Sequence, residues 1–156
     1  MSTSWEPFGS TRRLAEDADR AAAKPPASPV AAPAQGRLEA KPRHALVVIT
    51  CMDARIDPLA VCGLSLGDAH VLRNAGAVVS DDVLRSLHAS HTRLGTRRAL
   101  LIGHTDCVAF DSDVTQVEAS LRQGLRTIAG SGAVPPTFRV EALIYDVETG
   151  QLTPLC

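Results

Sequence analysis

No apolar run in the chain approaches the eighteen or so residues that span a bilayer. The opening residues, Met1-Ser2-Thr3-Ser4-Trp5-Glu6-Pro7, are polar and hold no apolar segment of signal-peptide length, so a cytoplasmic protein is expected. Excess charge of one sign is also lacking. Sixteen Lys and Arg stand against seventeen Asp and Glu, interspersed, for a formal net charge of −1. No basic stripe therefore points to nucleic acid or to an anionic membrane, and neither is expected as a partner. Aromatic residues are scarce: Trp5, Tyr145 and three phenylalanines leave few rings to line a pocket. No internal repeat is visible. A length of 156 residues suits one domain plus a tail.

Composition divides the chain near residue 36. Thr11 to Lys24 is Ala-rich and reads as a helix capped by Ser10 or Thr11, but Leu14 and alanines alone make a thin apolar stripe. Ala23 to Gly36 follows as an Ala/Pro linker, because Pro25, Pro26, Pro29 and Pro33 bar regular helix. Residues 1–36 are thus expected to form an arm, either disordered or docked on a partner subunit, and 37–156 the functional domain.

Beyond Arg43 the pattern becomes alternating strands and helices. Ala45 to Thr50, Ala69 to Arg73 and Ala99 to Ile102 are short apolar runs of the type buried on both faces of a parallel sheet. A helix opened by Ser80, Asp81 or Asp82 puts Val83, Leu84, Leu87, His91 and Leu94 on one face and stops at Gly95. A second, Val114 to Ala129, aligns Val117, Leu121, Leu125 and Ile128, with Gly130 as its stop. Val140 to Val147, a turn at Glu148-Thr149-Gly150 and Gln151 to Leu155 read as a hairpin. The expected fold is α/β: a mostly parallel, twisted sheet of about four strands in the order 2-1-3-4, with an antiparallel edge strand and helices on both faces.

Two segments carry the chemistry. Cys51-Met52-Asp53-Ala54-Arg55 follows the first strand and His104-Thr105-Asp106-Cys107 the third. In open α/β sheets the ligand crevice lies beyond the carboxyl ends of the strands, where the strand order reverses. If the first and third strands are neighbours and the second lies on the other side of the first, Cys51, His104 and Cys107 meet there. Two thiols and an imidazole suit Zn²⁺, leaving its fourth position to water or to Asp53. In a reducing compartment the four cysteines are better read as ligands or thiols than as disulfides. Two thiolates cancel the charge of the ion, so its water is acidified less than at a three-histidine site and needs help from neighbouring groups. Asp53 can accept a hydrogen bond from a zinc-bound hydroxide, and Arg55 can hold Asp53 ionised; without Arg55 that carboxylate could swing onto the metal.

Other residues receive smaller roles. Gly67 and Asp68 shape the turn into the second strand, and Asn74-Ala75-Gly76 forms a loop whose backbone can approach a substrate. His70, His88 and His91 read as helix or strand residues rather than ligands. Asp106 either orients a ligand or caps the next helix. Cys62 reads as a buried thiol and Cys156 as an exposed one.

Cys51-Met52-Asp53-Ala54-Arg55, Gly67-Asp68-Ala69-His70-Val71-Leu72-Arg73-Asn74-Ala75-Gly76 and His104-Thr105-Asp106-Cys107 resemble the three signature segments of the β-class carbonic anhydrases. Tyr145-Asp146-Val147-Glu148-Thr149-Gly150 is similar to that family's closing hairpin, and the likeness covers roughly Arg37 to Leu155. It implies zinc held by Cys51, His104 and Cys107, a catalytic dyad of Asp53 and Arg55, and interconversion of carbon dioxide and bicarbonate. It also implies a homodimer or higher homo-oligomer, with N-terminal helices embracing the neighbouring subunit.

One departure stands out. After the His-x-x-Cys motif the family continues with glycine and a long helical stretch, whereas this chain has Val108-Ala109-Phe110 and reaches Val114 within a few residues. A block of some tens of residues is missing by comparison. The resemblance therefore admits two further readings: a zinc hydrolase of carbonyl sulfide or carbon disulfide, as some relatives are, and a catalytically silent zinc-binding subunit. A Cys-x₅-Arg phosphate loop is disfavoured, because Asp57 stands where its arginine would be.

Overall fold

The computed structural model describes residues 38–155. The expected N-terminal arm and Cys156 lie outside the described residues. Five strands form one sheet in the order β2-β1-β3-β4-β5: β1 Leu46–Cys51, β2 Ala69–Asn74, β3 Arg98–His104, β4 Arg139–Tyr145 and β5 Leu152–Pro154. β1 to β4 run parallel and β5 is antiparallel to β4, so the expected 2-1-3-4 order with an antiparallel edge is the observed one.

All six residues of β1 are buried, which fits a central strand with both faces covered. Val47 and Ile49 point to one face, packed with Leu101, Leu87, Val117 and Leu121; Leu46 and Val48 point to the other, with Ile102, Cys62 and Leu64. Full burial of each such side chain contributes about 1.5–3 kcal/mol. The end of β1 is therefore a stiff platform, and Cys51 stands on it.

Three α-helices connect the strands: α1 Pro58–Val61, α2 Asp81–Leu94 and α3 Val114–Ser131. The short α1 starts where Asp57 accepts from the amides of Leu59 and Ala60, with Pro58 in its first turn. Four residues hold too little periodicity to betray it in sequence. Ser80 caps α2 through the Val83 amide, Asp81 and Asp82 complement the dipole, and left-handed Gly95 ends it, as expected.

Helix α3 begins at Val114 as expected, capped by Asp113 on the Thr115 amide, but it does not stop at Gly130. It runs through Gly130 to Ser131 and ends at Gly132, whose φ is 69°. A glycine stops a helix only where the chain adopts the left-handed conformation, and Gly130 stays helical.

Candidate metal centre

Cys51 ends β1, His104 ends β3 and Cys107 follows three residues later, ahead of a single 3-10 turn at Val108–Phe110. Because β1 lies between β2 and β3, the strand order reverses at this point, and the two motifs converge there. One ligand atom from each of Cys51, His104 and Cys107 lies within 4.8 Å of the others, and all three residues are buried.

The hydrogen bonds around this cluster prepare it for a cation. His104 Nδ1 lies 2.8 Å from the Thr105 carbonyl, so it carries the proton and leaves Nε2 as a lone pair. That Nε2 is buried and lacks a hydrogen-bond partner among the described residues. A buried nitrogen without a partner costs free energy unless something else meets it. The Gly76 amide donates to Cys51 Sγ at 3.3 Å. Burial pushes the Cys107 thiol up, and the adjoining Cys51 thiol adds to the shift; a cation between the two sulfurs would offset that cost by stabilising both as thiolates. One imidazole and two thiols match the donor set of a tetrahedral zinc with a fourth position open. The residues present fit the ion.

Asp53 and Arg55 form a closed pair beside the cluster. Asp53 Oδ1 accepts from the Arg55 amide at 2.9 Å and from Nε at 3.0 Å, while Oδ2 accepts from Nη2 at 2.8 Å. These bonds hold the Asp53 carboxyl far below the usual carboxylate range, and Asp53 in turn raises the Arg55 guanidinium further. The same guanidinium reaches Asp106, with Nη1 to Oδ2 at 2.8 Å and Nη2 to the carbonyl at 3.0 Å. Asp106 therefore neither caps α3 nor orients a ligand directly; it holds Arg55. The Ser112 hydroxyl, then Arg55, lower the Asp106 carboxyl.

Two contributors, Arg73 and Ser112, carry no role in the sequence reading, and Gly76 has a different one from that expected. Arg73 donates to the carbonyls of Cys51 at 2.9 Å and Asp53 at 2.7 Å, fixing the chain between ligand and carboxylate. The Gly76 amide, expected to face a substrate, donates to Cys51 Sγ. Ser112 bonds Asp106. Arg73 is the register partner of Thr50, at the carboxyl end of the strand beside β1, which is what brings it to the Cys51 and Asp53 carbonyls. The histidines expected not to be ligands stand apart: His70 bonds Ser90 and the Ala40 carbonyl, His88 the Ala133 carbonyl and His91 the Thr96 carbonyl. Gly67 is left-handed at φ 91° before β2, and Asp68 pairs with Arg43, so both shape that turn as expected.

A cavity of about 500 Å³ opens over the cluster, with Met52, Ala54, Ala75, Val108 and Ala109 supplying its apolar wall. Val108 is 82% exposed and Met52 68% exposed at its mouth.

Residues 46–135 match the family model described as carbonic anhydrase. Beta-carbonic anhydrase 1 of Mycobacterium tuberculosis is 36% identical over 140 residues, covering 76% of this chain and 86% of the relative. The chain belongs to the β-carbonic anhydrase family. The crystal structure of carbonic anhydrase from Streptococcus mutans superposes with a TM-score of 0.69 at 30% identity, covering 93% of this chain and 95% of that one. Carbon disulfide hydrolase of Saccharolobus solfataricus is 40% identical over 70 residues, covering 44% of this chain and 34% of the relative. Against the mycobacterial protein, 76% of 156 residues is about 119, so about 21 of the 140 aligned positions have no counterpart here.

Proposed function

We propose that this chain is a zinc enzyme that reversibly hydrates carbon dioxide to bicarbonate and a proton, with Cys51, His104 and Cys107 as ligands and Asp53 and Arg55 as the working pair. The observation that carries the reading is a buried, partnerless Nε2 on His104, a residue with one ring nitrogen within 4.8 Å of two buried thiols, adjoining a carboxylate already neutralised by arginine. Bound zinc supplies Lewis acidity that turns a water into a nucleophile at moderate pH.

The chain's own groups supply the rest. Asp53, kept ionised by Arg55, acts only as an acceptor; Oδ1 takes two Arg55 bonds, while Oδ2 takes one and keeps an acceptor site. It can take a hydrogen bond from the attacking water and so turn the remaining lone pair toward carbon. Arg55 stops the carboxylate from turning to the metal in place of water. Met52, Ala75, Val108 and Ala109 offer an uncharged linear substrate an apolar wall and give bicarbonate little to hold it, which favours release of the product.

A second reading, hydrolysis of carbon disulfide or carbonyl sulfide, is favoured by the open apolar mouth at Met52 and Val108 and by carbon disulfide hydrolases among the relatives. The proposal also takes the protein to be a cytoplasmic homo-oligomer. Among the described residues no helix is long and apolar enough to cross a membrane.

The test is a stopped-flow hydration assay on zinc-reconstituted protein, beside carbon disulfide and carbonyl sulfide hydrolysis, with Asp53→Ala as control. Turnover of carbon dioxide that collapses in the control supports the main reading. Faster turnover of a sulfur substrate supports the second, and no turnover of any substrate leaves a silent zinc-binding subunit.

A further inference from the structure

We infer that Ser112 and Asp106 are positioning residues that hold Arg55, and through it Asp53, and that the short segment between Cys107 and the third helix is what delivers this hold. The inference rests on the functional reading above for the reaction affected, but its geometry stands without it. The Ser112 hydroxyl donates to Asp106 Oδ1 at 2.6 Å, leaving Oδ2 for Arg55 Nη1 at 2.8 Å. Each oxygen of Asp106 thus has one fixed donor. Arg55 in turn grips Asp53 with Nε and Nη2. The guanidinium therefore ties the loop after Cys51 to the loop between His104 and Cys107.

Exposure explains why an extra hold is needed. The side chains of Arg55 and Asp106 are 45% and 58% exposed, and an isolated exposed ion pair orders its partners weakly. A serine that fixes one oxygen of Asp106 removes the freedom of that carboxylate to turn away, so Oδ2 and the Asp106 carbonyl remain as two fixed acceptors for Arg55.

The backbone of the short segment is bent to place that serine. The Ser112 amide returns to the Cys107 carbonyl at 2.9 Å and the Asp113 amide to the Phe110 carbonyl at 2.8 Å, closing a compact loop after the 3-10 turn. Asp111 and Ser112 are both left-handed, with φ of 50° and 60°, and Asp106 has φ 54°. Left-handed residues other than glycine are strained and persist where their surroundings hold them. Consecutive strained residues that end in a hydroxyl on Asp106 mark a loop shaped for that contact. A loop serving only to join β3 to α3 would be relaxed by glycine at these positions.

This strain makes the test clean, because Ser112→Gly removes the hydroxyl while easing the backbone. The variant should fold and melt at or above the temperature of the parent, bind the same zinc, and keep its KM, while kcat falls about three- to tenfold through lost orientation. Cobalt(II) substitution adds a readout independent of turnover: the visible spectrum of Ser112→Gly should differ from the parent at neutral pH as Asp53 gains freedom to approach the metal. Ser112→Asn, which tolerates the left-handed conformation and offers an amide donor, should restore both spectrum and kcat. Parental kcat and an unchanged cobalt spectrum in Ser112→Gly would overturn the inference. A parent protein that turns over no substrate defeats the functional reading instead, and the cobalt comparison then decides the hold by itself.

Discussion

The ring of Phe110 fills the space that a side chain on Gly76 would need. A Cβ built on Gly76 would lie 2.6 Å from Cε2 of that ring and 3.2 Å from the Ala109 Cβ. Gly76 also has φ 76°, and its amide serves Cys51 Sγ. The turn before the second helix and the short segment after Cys107 thus close together over one ligand.

Gly76→Ala is accordingly expected to destabilise the protein by about 1–3 kcal/mol, combining left-handed strain with overpacking. It should also weaken zinc binding. Thermal melts and metal analysis check both, and adding Phe110→Ala to Gly76→Ala should recover part of the loss. Equal losses with and without the Phe110 ring would show that the close approach is not the cause.

Zinc should be present at one ion per chain and should depend on each sulfur. Cys51→Ser and Cys107→Ser are expected to lower zinc content severely after dialysis, and added zinc should raise the melting temperature of the parent but not of either variant. Full zinc retention in both serine variants would disprove the assigned site.

Much of this arrangement was legible beforehand for a physical reason. Strands such as β1 and β3 are continuous apolar runs, and helices such as α2 carry both a cap at Ser80 and a stop at Gly95, so period and punctuation agreed. Once the order 2-1-3 was expected, the ends of β1 and β3 had to meet, and the ligands with them. The contacts of Arg73, Asp106 and Ser112 were not legible. They join a side chain to a carbonyl or carboxylate on another element, and nothing in local spacing records where a rotamer points. The end of α3 is not legible either, because Gly130 and Gly132 look alike in sequence and differ only in conformation.

Asp68 offers a pH test away from the metal. It accepts from the Ser65 amide at 2.8 Å and from Arg43 Nε at 2.7 Å, with His44 Nε2 at 3.6 Å, and these partners hold its carboxyl below the ordinary value of 3.8. A depressed carboxyl stabilises the fold fully above its unfolded pKa, and that contribution disappears as pH falls through the folded value. Asp68→Asn should therefore melt below the parent by a constant margin from neutral pH down to about 5, with the margin closing below about 4. Melting curves across that range check it. A margin unaffected by acid would mean that shape, not charge, is what Asp68 contributes.

The final prediction sets the pH dependence of turnover against the dyad. Arg55 keeps Asp53 ionised far into acid, so Asp53 cannot be the group that titrates near neutrality. Two thiolates and a neutral imidazole leave a bound zinc with no net charge, and its water should ionise less readily than at a dicationic centre. Hydration of carbon dioxide is therefore expected to rise from neutral into mildly alkaline solution. Asp53→Asn should lower the whole profile while leaving its midpoint in place, because the variant removes an orienting acceptor and not the titrating proton. Arg55→Gln should lower the profile at least as far, because it also frees Asp53 to reach the metal, and the double variant should be little worse than the worse single one. Profiles of kcat/KM for the parent and these variants decide the matter. A parent profile that peaks below neutrality, or a midpoint that moves with Asp53→Asn, would transfer the proton acceptor to another group and undo the assignment of Asp53 as a permanently ionised acceptor.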